Sequence, residues 1–106
     1  MTVEKILEQF DASKSNELGD GVKIGWLADV EGRVLCQILG KAPDEAALPK
    51  GSGDTLVLPE SFSRVYLLYL AAMTELYGGD HNAYATLKRE FEEELSSYAK
   101  YLIRNR

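Results

Sequence analysis

The sequence predicts an all-α protein: a small four-helix domain with one long irregular loop, its last two helices folded back as an antiparallel hairpin. Three observations carry this. Residues 61–77, SFSRVYLLYLAAMTELY, are almost continuously apolar, too long for a strand and too short to cross a bilayer. Segments at about 3–13, 20–39 and 80–103 repeat apolar residues at helical spacing, and no two apolar runs are joined by a hairpin turn. A chain of 106 residues is one domain, 1–106, and buries only a modest core.

The first element opens at Thr2, a side chain able to cap a helix that begins at Val3. Val3, Ile6, Leu7 and Phe10 then form a single narrow apolar stripe. A helix of three turns is marginal in water on its own, so this one must dock on the rest of the protein or on a partner. Asp11 to Asp20 is polar and rich in turn residues.

In the second helix, 20–39, Ile24, Leu27, Val30 or Glu31, Val34, Leu35 and Ile38 recur at helical spacing, with Lys23, Asp29, Arg33 and Gln37 on the other side. Gly25 and Gly32 lie close to one line along it, each costing roughly 1 kcal/mol relative to alanine. Either the bundle tolerates them or another helix or subunit approaches closely there. Gly40 suits the end of this helix.

The loop 41–59, KAPDEAALPKGSGDTLVLP, holds all 3 prolines of the chain and a Gly-Ser-Gly. Loops this long are usually functional or mobile. Thr55 to Leu58 reads as a short extended segment, either a lid over the helices or an arm that pairs with another chain.

The central helix, 61–77, shows Leu67, Leu70, Ala71 and Thr74 on one face, with Val65, Leu68, Tyr69, Ala72 and Met73 covering much of the rest, so other helices must wrap it. Gly78-Gly79 stops it and Asp80 caps the next. So short a connection makes the last two helices antiparallel neighbours. The final helix carries the stripe Tyr84, Leu87, Phe91, Leu95, Tyr98 and Leu102, leaves Glu92, Glu93 and Glu94 outside it, and ends in Lys100, Arg104 and Arg106, which suit the helix dipole. The expected core is Ile24, Leu27, Leu67, Leu70, Ala71, Leu87 and Phe91.

Composition narrows function. The net charge of −5 and the lack of a separate basic cluster argue against nucleic-acid binding. Cys36 is the only cysteine and no apolar leader opens the chain, which points to a reducing cytoplasm and to no membrane partner. No catalytic set, cofactor site or metal site is recognisable. His81, the single histidine, reads as a solvated or capping residue; GDGVKIG follows no strand and lacks the residues of a phosphate loop. The 6 tyrosines fall on the last two helices, as core or as an interface. The sticky features form one candidate interface: Val3, Leu7 and Phe10 on the first helix, Gly25 and Gly32 on the second, and Leu56, Val57 and Leu58 in the loop.

The order of features resembles the head-tail connector, or head-completion, proteins of tailed phages and of prophages in Gram-positive bacteria. The matching pieces are the opening TVEKILEQFD, the helix VKIGWLADVEGRV, an acidic loop leading to TLVLPESFSRVYLLYLAAMTELYGGD, and the closing HNAYATLKREFEEELSSYAKYLIRNR. Phe62 stands where a tyrosine is expected. The resemblance covers nearly the whole chain and implies a non-enzymatic virion protein. Such a subunit assembles with itself as a ring between portal and tail, contacts the portal protein and neighbouring head-tail proteins, and is present in the host bacterial cytoplasm during assembly. The residues alone also fit a small cytoplasmic helical adaptor or regulatory protein-binding module.

Overall fold

The computed structural model describes residues 1–14 and 16–105, and the fold is all-α. Its helices are α1 (Val3–Ser13), α2 (Asp20–Arg33), α3 (Ser63–Tyr77) and α4 (His81–Arg104). Among the described residues the only sheet-like pairing is an isolated antiparallel bridge between Thr2 and Thr55. The helix ends follow from local chemistry. Thr2 Oγ1 accepts from Lys5 N at 3.3 Å, and Asp80 Oδ1 accepts from Ala83 N at 3.0 Å. Gly79 takes φ +83° between α3 and α4, a left-handed conformation that side chains resist, so the chain reverses within three residues and α4 packs back along α3. Arg106 lies outside the described residues.

α3 is wrapped as its all-round apolar character requires. Val65, Tyr66, Leu68 and Leu70 share one core cluster with Val3, Ile6, Leu7 and Phe10 of α1, Trp26, Leu27 and Val30 of α2, and Phe91, Leu95 and Tyr98 of α4, and Ala72 is buried as well. Of the expected core, Leu27, Leu70 and Phe91 are buried, whereas Ile24, Leu67, Ala71 and Leu87 are only half-buried. Leu67 and Ala71 belong to a face that α1 covers incompletely, leaving an open groove.

Three boundaries or faces differ from the periodicity reading. The second helix does not stay α-helical to residue 39: after Arg33 it widens into a π-helical turn, Val34–Ile38, closed by Leu39 N donating to Val34 O at 2.9 Å. That widening lets the adjacent Val34 and Leu35 both be buried before Gly40, at φ +73°, ends the element. The central helix starts later than Ser61, because Glu60–Phe62 form a 3-10 turn after Pro59. Lys23 is not on a solvent face; it is 2 % exposed. Its ammonium reaches Asp11 Oδ1 at 2.8 Å and Asn16 Oδ1 at 3.3 Å, so the polar connection folds over it.

Candidate functional site

The long loop is tied down on both sides. Asp54 Oδ2 accepts from Lys50 N at 2.7 Å and Gly51 N at 3.0 Å, folding a tight local turn. The strap that follows runs beside the N-terminus: Glu4 N donates to Ser52 O at 2.9 Å, Val3 N to Asp54 O at 3.0 Å, and Leu56 N to Met1 O at 2.8 Å. Leu56 and Leu58 both point into the core, at 3 % and 1 % exposure, while Val57 between them is half-buried.

The other side of the strap meets two polar groups in the interior. Glu31 on α2 is 1 % exposed. Its carboxylate accepts from the Tyr66 hydroxyl and, at 2.9 Å, from Val57 N; the Tyr66 oxygen in turn accepts from Leu58 N at 3.0 Å. Consecutive strap amides are thus consumed by one carboxylate and one phenol. Burial pushes the Glu31 carboxyl above its ordinary range, against the pull of the Tyr66 and Val57 donors. Burial, and then the neighbouring Glu31, push the Tyr66 phenol far above its usual value.

A second polar cluster joins α2 to α4. Arg33 forks onto Glu92 with two contacts of 2.6 Å, Lys88 reaches the same carboxylate at 2.9 Å, and both cations lie over the Phe91 ring at 5.7 and 5.4 Å from its centroid. Hydrogen bonds from Arg33, helped by Lys88, hold the Glu92 carboxyl down at about 2.

The open groove between α1 and α3 has a volume of about 520 Å³ and is lined by Phe10, Leu67, Leu68 and Ala71 with Ser13, Lys14 and Arg64. Lys14 is paired with Glu75; Arg64 reaches Glu94 at 3.2 Å and Glu90 at 3.6 Å.

The candidate interface residues are not brought together on one surface. Val3, Leu7, Phe10, Leu56 and Leu58 are buried in the chain's own core, because the α1 stripe finds α3 and the strap inserts alternate leucines beside it. As free surface for a partner, that expectation is corrected, and the strap is closed down as a lid. Gly25 is exposed, with no atom within 4 Å of where a side chain would begin; at Gly32 the Leu48 side chain would be met at 3.7 Å. His81 is exposed and Cys36 half-buried. Among the described residues no cluster of three or more His, Cys, Asp or Glu could hold a metal ion, and no helix is long and apolar enough to cross a membrane. The sequence reading set Glu31 on the apolar stripe only as an alternative to Val30, with no role, and put Lys23 on the opposite face. The signal was present at Glu31, an acidic side chain at helical spacing within the apolar stripe from Leu27 to Leu35.

Compared with protein-family models, curated proteins and solved structures, the chain matches none.

Proposed function

We propose that the protein is a non-enzymatic structural subunit that works by binding other proteins, and that it serves as a head-tail connector of a tailed phage or prophage, assembling as a ring between portal and tail. The observation that carries the binding role is the groove between α1 and α3, a concave surface with an apolar floor of Phe10, Leu67, Leu68 and Ala71. A concave apolar site of about 520 Å³ suits side chains inserted by another chain. The connector role is supported by the sequence resemblance, which runs from Thr2 through the closing helix. Under this reading the partners are further copies of the chain, the portal and adjacent head-tail proteins, and the sites are the virion and, before assembly, the host cytoplasm.

The test is to mix the protein with the portal encoded in the same genome and look for rings by electron microscopy and co-sedimentation. A portal-templated ring is expected, and Ala71→Arg, which fills the groove with a charge, is expected to abolish it while leaving the thermal melt within a few degrees of the parent. A folded protein that stays apart from the portal would overturn the connector reading and return the adaptor one. Rings formed equally well by Ala71→Arg would remove the groove from the argument.

A further inference from the structure

We propose that Glu31 and Tyr66 form a catch on residues 52–58, so that this strap opens and closes as one unit while the α3–α4 hairpin stays folded. The bonds that hold the strap divide into two rows. One row is backbone to backbone with the N-terminus, through Glu4 N, Val3 N and Leu56 N. The other is the catch, in which Val57 N and Leu58 N donate to Glu31 and Tyr66. At the start of the strap, Asp54 closes a turn onto Lys50 N and Gly51 N, which ties the segment to the residues just before it.

The catch is poised because of how its charge is held. A carboxylate is an acceptor only, and the two donors that fill it are neutral: a phenol from α3 and an amide from the strap itself. The titratable or charged groups that face it are Tyr66 on α3, Tyr98 on α4, and Lys41 and Glu45, which line the adjoining cleft of about 300 Å³ with one charge of each sign. Glu31 therefore has no net cationic field in compensation for its burial. Opening the strap hydrates this carboxylate, so ionisation favours opening. Protonation removes the buried charge and favours closure, in keeping with a carboxyl whose proton is held more tightly when buried than when free. Rising pH, from the ordinary carboxylate range up to the raised value in the closed form, loosens the catch; falling pH tightens it.

Native-state hydrogen exchange on the full chain tests this. The readout is the amides of Val3, Glu4 and Leu56, which make the row between the strap and the N-terminus and donate to neither Glu31 nor Tyr66, against those of Leu70, Ala72, Phe91 and Leu95 in the hairpin. In the parent, the first group should share one opening that is more frequent than that of the second. Tyr66→Phe should accelerate the first group roughly tenfold and leave the second unchanged. Glu31→Gln should abolish the pH dependence of the strap opening, once intrinsic exchange rates are divided out. The proposal is overturned if the strap amides open only with the hairpin, if Tyr66→Phe accelerates Val57 and Leu58 alone, or if the parent opening does not change with pH. Glu31→Gln keeps the test decisive should Tyr66→Phe fail to fold.

Discussion

Glu92 and Glu31 show how differently two regions of this small domain are secured. Between α2 and α4, Glu92 is held by two cations, Arg33 and Lys88, whose hydrogen bonds leave its carboxyl at about 2. Under the strap, Glu31 is held by a phenol and an amide, and burial raises its carboxyl. The first arrangement is a partly exposed clasp between α2 and α4. The second lies inside, where its carboxylate and phenol hold two amides of the strap. The hairpin of α3 and α4 is built from local instructions, and the strap from contacts to other elements, such as Val57 with Glu31, 26 positions apart.

The largest effect should come from the strap's apolar anchors. Because Leu56 and Leu58 fill the core, changing both to serine removes two buried side chains and places hydroxyls there, a loss of roughly 4 kcal/mol or more. Urea denaturation measures it. A double variant as stable as the parent would mean that the strap is a free arm, and the contrast between the two regions would vanish. Next in size is Leu70→Ala in the hairpin, at 0 % exposure, with an expected cost of roughly 2–5 kcal/mol. A cost under half a kilocalorie would show that the α3 face is not packed as described.

Much of the hairpin was legible before the fold was known. The apolar run, the Gly-Gly-Asp connection and the 3-and-4 spacing from Tyr84 to Leu102 each act within a few residues; the reversal and Asp80 as the cap appear where expected, while of the stripe Phe91, Leu95 and Tyr98 are buried and Tyr84, Leu87 and Leu102 half-buried. The strap was legible only as a composition change. Whether Leu56 and Leu58 point inward depends on Glu31 and Tyr66, which belong to other elements, and periodicity does not see such pairings. The same blindness put Lys23 on the solvent face, when the turn formed by Asp11 and Asn16 covers it. The groove between α1 and α3 depends on how α1 is set against Leu67 and Ala71, a matter of docking angle rather than of pattern.

Smaller changes at the two carboxylates sharpen the comparison. Tyr66→Phe leaves Glu31 and Leu58 N each short of a partner in the interior and should cost about 1–3 kcal/mol. Arg33→Ala, at a pair more than a third exposed, should cost less than about 1 kcal/mol once solvent screening is allowed for. The pH dependences have opposite signs. Glu92 has a folded value below its unfolded one, so its contribution is present above the ordinary value near 4.5 and is lost as pH falls toward about 2. Glu31 has a folded value above its unfolded one, so its contribution is full at low pH and is lost as pH rises through the raised value. Acid titration of Arg33→Ala and Glu31→Gln, followed by chemical denaturation at each pH, should flatten the curve at opposite ends. Curves that flatten at the same end would refute the assignment of the two carboxylates.

The smallest expected effect concerns α2, the element that both regions share. Gly25 sits in the interior of this helix at an exposed position, and a methyl group there would meet no atom within 4 Å. Its backbone does not need glycine, since only Gly40 and Gly79 take positive φ among the described residues. Gly25→Ala should therefore stabilise the isolated chain by roughly 0.5–1 kcal/mol, because the unfolded state loses freedom and nothing in the folded state is crowded. Measured alone, that gain would say only that the bundle tolerates a glycine. Measured together with assembly, it separates two meanings of the Gly25 and Gly32 line. If a neighbouring subunit approaches α2 closely, the same methyl group that raises the melting temperature must weaken association with the portal or with further copies, and the two readouts move in opposite directions. If association is unchanged while the melt rises, the glycine line has no part in any interface, and the groove between α1 and α3 is left as the surface to test.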